Sequence, residues 1–129
     1  MPARFPIRFT GVNRAMLILG VAPALSRVEV DEGEVRVLMS WVFSLDAPLA
    51  RVRSITRDHE RVLGWGAHGW RGKWLVNGSS HGMVRIEFDP PVRARCARYP
   101  VNVSALRVSV EDPDGLIAAL ATTPGAPAA

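Results

Sequence analysis

The chain has 129 residues, 48% of them hydrophobic and 22% charged, with a single cysteine. That length supports one domain with its own core and leaves no room for a second; the composition excludes wholesale disorder, and one cysteine excludes a disulfide framework or a cysteine-rich metal site. The net charge of +4 rests on fifteen arginines and one lysine spread along the chain, which reads as a solvated surface rather than a nucleic-acid-binding arm.

Near the start, Phe5, Ile7 and Phe9 alternate with Pro6 and Arg8, the period of a half-buried strand. An apolar run follows over residues 15–25, and its 11 residues fall short of the roughly 20 needed to cross a bilayer. Two readings are open for it. Arg4, Arg8 and Arg14 ahead of it, with Ala22-Pro23-Ala24 inside it, suit a secretory signal. The alternation before it suits a strand followed by a short buried helix in a cytoplasmic protein, and this is the reading adopted.

From Arg27 the period is two. Val28 and Val30 share a face, and Asp31-Glu32-Gly33-Glu34 makes a tight turn. Val35, Val37, Met39, Trp41, Phe43 and Leu45 then predict one long strand with a continuous apolar face, ended by Asp46-Ala47-Pro48. Residues 51–58 read as a further strand. Val84, Ile86 and Phe88 alternate with Arg85 and Glu87; Pro90-Pro91 breaks the chain; Val92, Ala94 and Cys96, and later Leu106, Val108 and Val110, alternate again. One helix is well signalled: Asp112 as cap, Pro113 in the first position, Asp114 at the positive end of the dipole, and Leu116, Ile117 and Leu120 as an apolar stripe. Residues 122–129 hold only small side chains and are expected to be disordered.

About seven short antiparallel strands with a capping C-terminal α-helix predict a mainly β barrel or sandwich in one domain over residues 1–121, of which 1–25 form an N-terminal strand and helix extension. The hairpin over 27–45, the strand over 105–111 and the helix Asp-Pro-Asp-Gly-Leu-Ile-Ala-Ala-Leu-Ala together resemble the pleckstrin-homology-like barrel, specifically the small bacterial domains of that type. The resemblance implies a binding or assembly role. Members that bind phosphoinositides carry basic residues in the loop after the first strand; here residues 31–34 are acidic, which departs from that pattern.

Residues 64–82 concentrate six of the eleven glycines, three of the four tryptophans and two of the three histidines. Gly64-Trp65-Gly66-Ala67-His68-Gly69 matches GxGxxG, but a dinucleotide site needs a helix opening at the third glycine, and Trp70-Arg71-Gly72-Lys73-Trp74 follows instead. Gly78-Ser79-Ser80-His81-Gly82 matches GxSxG, but a nucleophile elbow needs a following helix, and residues 83–89 alternate as a strand. His59, His68, His81 and Cys96 lack metal-ligand spacing. Neither a catalytic nor a metal site is assigned. On a single strand Trp70, Gly72 and Trp74 would share one face, with Arg71 and Lys73 on the other. Two readings stay open: core tryptophans, or a partner site formed by Trp65, His68, Trp70, Arg71, Lys73 and Trp74. Arg51 and Arg53, and Arg93 and Arg95, would likewise share strand faces and, if those faces join, form a basic surface.

The expected function is a non-enzymatic binding or assembly module that engages a protein partner or a second copy of itself. It uses no cofactor and no specific nucleic acid, has no transmembrane segment, and leaves a peripheral membrane contact open. Two alternatives stand beside it: a carrier of a small apolar ligand lined by the 35–45 face and the tryptophans, and a salt-sensitive binder of anionic lipid or nucleic acid through the arginine-rich face.

Overall fold

Alternating apolar and polar residues place every second side chain on one face of a strand. The computed structural model describes residues 3–8, 26–59, 66–77 and 81–122, apart from the side chains of residues 66, 68, 70, 121 and 122. Within these residues the chain forms β1 (Ala3–Pro6), β2 (Ser26–Asp31), β3 (Glu34–Met39), β4 (Phe43–Pro48) and a 3-10 turn (Leu49–Arg51). It continues through β5 (Val52–Arg57), β6 (Gly66–Trp70), β7 (Lys73–Asn77), β8 (Met83–Cys96), β9 (Tyr99–Ser109) and α1 (Pro113–Thr122). The predicted short helix within residues 15–25 and the tail beyond Thr122 lie outside the described residues.

One curled sheet runs in the order β1-β2-β3-β4-β8-β9-β7-β6, with β5 also pairing to β8. All pairings are antiparallel except β7 with β9. The curl is tight enough that Ile7, just past β1, bridges to Val110, just past β9. The result is a mainly β half-barrel. Its concave side is filled by Val28, Val35, Val37, Met39, Phe43, Leu45, Ile86, Leu106 and Val108, each at most 2% exposed, and each such side chain contributes roughly 1.5–3 kcal/mol.

Helix α1 packs on β5, β1 and β8 through Leu116 and Leu120, both fully buried. Asp112 caps it as its residue type requires, Oδ1 accepting from the Gly115 N–H at 3.0 Å. No helix among the described residues is long and apolar enough to cross a membrane.

Three features differ from the sequence reading. The long strand over 35–45 is two strands: Val42 N–H donates to the Met39 carbonyl, Ser40 takes φ 47°, and Trp41 stands on the turn. The connection has three residues, so Met39 and Phe43 pair and both face inward; the odd-numbered apolar series therefore passes unbroken through a turn. Pro90-Pro91 does not break the chain, because β8 continues through a bulge there. Between the pairs Glu87↔Ala105 and Val92↔Val103, β8 advances five residues and β9 two, so three residues of β8 are extra. Proline is tolerated in such a bulge because no ladder hydrogen bond is required of it. Finally, β9 begins at Tyr99 rather than at residue 105, and the added residues, which the apolar pattern did not mark, pair with the end of β8.

Candidate functional site

The bulge bends β8 so that its first half pairs with β5 and its second half with β4. β9 must bend with it. Ser104 and Ala105 N–H both donate to the Gly72 carbonyl, at 2.7 and 3.2 Å, and the Ser104 hydroxyl adds a third donor at 3.2 Å. Two successive amides on one acceptor insert an extra residue into the ladder, and the inward face of β9 changes from Val103 to Leu106. In this crook lies an open groove of about 490 Å³, lined by Arg71, Trp74, Pro91, Val101, Asn102 and Ser104 among others.

Residues 66–77 form a hairpin rather than one strand face. Arg71 (φ 52°) and Gly72 (φ 84°) occupy the turn, both left-handed, as a two-residue connection between twisted strands demands. The positions of His68 and Trp70 lie on β6, opposite Leu75 and Lys73; Trp65 lies outside the described residues. Lys73 is exposed and Trp74 half-buried. The Trp74 indole covers Gly69 and meets the buried Phe43 ring at a centroid distance of 5.8 Å, which makes Trp74 a packing residue that also forms one wall of the groove. A dinucleotide site would open a helix at Gly69; a strand runs through it.

The arginines singled out from the sequence lie on β8 and on the elements beside it. Arg51 lies in the 3-10 turn, its Nη1 donating to the Pro91 carbonyl at 3.5 Å. Arg53 lies on β5 beside the first half of β8, where it helps lower the Glu87 carboxyl. Arg93 and Arg95 are exposed beyond the bulge, paired with Asn102 and Pro100. The carboxylates nearest the sheet centre are already engaged. Arg107 Nε donates to Asp58, whose side chain is 3% exposed. The Ser54 hydroxyl donates to Glu87 at 2.8 Å and, with Arg85, holds that carboxyl below its usual range. Burial pushes the Cys96 thiol upward. Among the described residues no group of three or more His, Cys, Asp and Glu side chains converges.

Two residues that the periodicity missed stand out instead. Trp41 (55% exposed) and Tyr99 (75%) are the exposed large hydrophobic residues of the described chain. They belong to neighbouring turns: Phe43 pairs with Cys96, and Ala97 N–H donates to the Val42 carbonyl at 2.7 Å. The β8–β9 turn is Ala97-Arg98, both left-handed (φ 49° and 73°). Tyr99 also continues the row Val103, Val101 that leads from the core along the groove. Residues 38–45 and 90–110 contain no carboxylate, while Arg93, Arg95 and Arg98 are exposed. One end of the half-barrel thus carries two exposed aromatics on adjoining turns, with the exposed Arg98 on one of them. Compared with protein-family models, curated proteins and solved structures, the chain matches none.

Proposed function

We propose that this chain is a non-enzymatic binding module of the pleckstrin-homology-like kind, and that it docks through the end of the half-barrel bearing Trp41 and Tyr99. The observation that carries this reading is the exposure of both aromatics on adjoining turns. Large apolar side chains left outside a filled core mark interaction surfaces. The half-barrel with its capping helix accords with the resemblance noted in the sequence, and the groove beside Val101 and Asn102 gives the docking end a concave flank.

The carrier alternative would use the 35–45 face, but Val35, Val37, Met39, Phe43 and Leu45 are spent on the core. The test is thermal denaturation and sedimentation velocity on the wild type and on the double variant Trp41→Ala, Tyr99→Ala. The reading expects melting unchanged within about 0.5 kcal/mol, as for exposed positions, together with loss of association. A stability loss above about 2 kcal/mol would place both rings in the core and overturn it.

A further inference from the structure

Resting on that reading, we propose that the occupant of the docking end and its groove is a single-stranded nucleic acid, bound without regard to sequence. Its bases stack on Tyr99 and Trp41 and enter the groove beside Trp74, and its phosphates face Arg71, Arg93, Arg95 and Arg98.

The groove runs along an open strand edge. β7 pairs with β9 only from Ala105 onward, and over residues 99–103 β9 pairs, among the described residues, with β8 alone. The Ser104 N–H points away from β8, to the Gly72 carbonyl. Backbone groups alternate sides along an antiparallel strand, so Asn102 and Pro100 turn theirs to the same open edge. Asn102 presents an N–H and a carbonyl there; Pro100, without an N–H, presents a carbonyl alone. An edge with a single donor over residues 99–103 is a poor template for an added peptide strand. It suits a nucleobase, because the Watson–Crick edge of every common base sets a donor beside an acceptor. Trp74 and Val101 line the groove and give it the apolar walls that a base needs.

Beyond the groove the aromatic surface continues. Tyr99 follows Val101 at the next position of the same side-chain row, about 7 Å further on at 3.4 Å per residue, and Trp41 stands on the adjoining turn. Stacking on such rings is indifferent to base identity, since every base has a π-face. The cations are set alongside. Arg93 and Arg95 pair with Asn102 and Pro100 and so share their face. Arg98 is on the turn next to Tyr99, and Arg71 on the turn at the other end of the groove. Residues 66–77 and 90–110 contain no carboxylate, and Asp46 on β4 is held by Arg36 at 2.6 Å. From Tyr99 to Ser104 the edge spans about 17 Å, so one strand can make base and phosphate contacts along it.

The experiment is fluorescence anisotropy on the full chain with fluorescein-labelled oligothymidylate and oligouridylate of about 12 nucleotides and a duplex of the same length. Sedimentation velocity without nucleic acid is run alongside, and each variant is melted to confirm that it is folded. Both single strands are expected to bind more tightly than the duplex, by about tenfold, because only their bases are free to stack. Four arginine–phosphate contacts predict a slope of log affinity against log salt of about −3, so affinity should fall about 50-fold between about 50 and 200 mM salt. Arg93→Gln with Arg95→Gln is expected to bring that slope to about −1.4. Tyr99→Ala is expected to weaken binding about 5- to 150-fold, the value of one stacked base, and Trp41→Ala with Tyr99→Ala further, with the slope unchanged. Equal affinity for duplex and single strands, a slope near zero, or affinity indifferent to the aromatic variants overturns the proposal. No oligonucleotide binding, with self-association that the aromatic double variant abolishes, overturns the nucleic acid while keeping the docking end. No association of either kind overturns both.

Discussion

Replacing Gly69 by alanine tests the packing that holds the β6–β7 hairpin to the barrel. A Cβ at Gly69 would stand 2.4 Å from Trp74 Cδ2, 2.5 Å from Cε2 and 2.7 Å from Cγ. Carbon atoms need about 3.5 Å, so the indole must retreat by about 1.1 Å. Phe43 blocks one direction: its ring lies 5.8 Å away, tilted 39°, and is 1% exposed. The indole can only swing outward into the groove, losing part of its contact with Phe43. Overpacking of this kind costs about 1–3 kcal/mol, and the smaller conformational freedom of unfolded alanine returns about 0.4–1 kcal/mol. The expected net loss is about 1–2 kcal/mol, or a Tm lowered by about 3–8 °C. Urea and thermal denaturation followed by far-UV circular dichroism measure it. The decisive form is a double-mutant cycle, because in a Trp74→Ala background the same glycine substitution has nothing to strike and should be neutral or stabilising. Equal losses in both backgrounds, or a Gly69→Ala protein as stable as wild type, would refute the placement of the indole over the glycine.

Gly82→Ala is expected to be far more damaging, above about 3 kcal/mol: φ is +70° and the new Cβ would lie 2.2 Å from the Val110 carbonyl oxygen, a backbone atom that cannot swing aside. A wild-type melting curve for that variant would contradict the closure between β8 and β9. Ala97→Gly should raise stability by about 1 kcal/mol, because φ 49° suits glycine, and a destabilised variant would count against the left-handed turn. Asp112→Ala should lose about 1 kcal/mol with the helix cap, and Asp112→Asn should retain most of it; equal losses would argue against the cap. Glu87 is held below the usual carboxylate range, first by the Ser54 hydroxyl and then by Arg85 and Arg53. Its contribution is therefore present above the unfolded-state value near 4.3 and is lost as pH falls through the lower folded value. The stability gap between wild type and Glu87→Gln should close on acidification below about pH 4, and a gap constant from neutral pH to pH 2.5 would show the interaction to be absent.

Much of the barrel is legible in the alternation. Val28 and Val30, Val84 and Ile86, Leu106 and Val108 are buried as their period requires, and the helix starts on the capping residue that announces it. What the pattern hides are changes of direction made without glycine or a change of parity. The three-residue turn at 40–42 keeps Met39 and Phe43 on the same face, so Trp41 reads as a core residue when it is 55% exposed. Ala97-Arg98 carries none of the turn chemistry that marks a hairpin, and β9 consequently goes unrecognised before Ala105. Pro90-Pro91 reads as an interruption because a local signal for irregular backbone cannot tell a bulge from a break. The segment over 64–82 is rich in tryptophan and glycine, and Trp74, Arg71 and Gly72 do reach the groove. The exposed aromatics lie elsewhere, on turns that only the register of β4 with β8 brings together.

The placement of backbone strain separates structural need from function. Four non-glycine residues have positive φ among those described: Ser40, Arg71, Ala97 and Arg98. Each left-handed residue with a side chain costs about 1–2 kcal/mol relative to its relaxed conformation, and glycine would remove most of it. Where the barrel needs a left-handed residue at the acidic turn after β2, or at the entry to β8, it uses Gly33 and Gly82. At the turns that carry Trp41, Arg98 and Tyr99 it keeps side chains instead, and at the turn beside the groove Arg71 shares the left-handed conformation with Gly72. A fold optimised for stability alone would reverse that choice. Three of the four, Ser40, Ala97 and Arg98, thus lie on the two adjoining turns at one end of the half-barrel, which is also the proposed docking end.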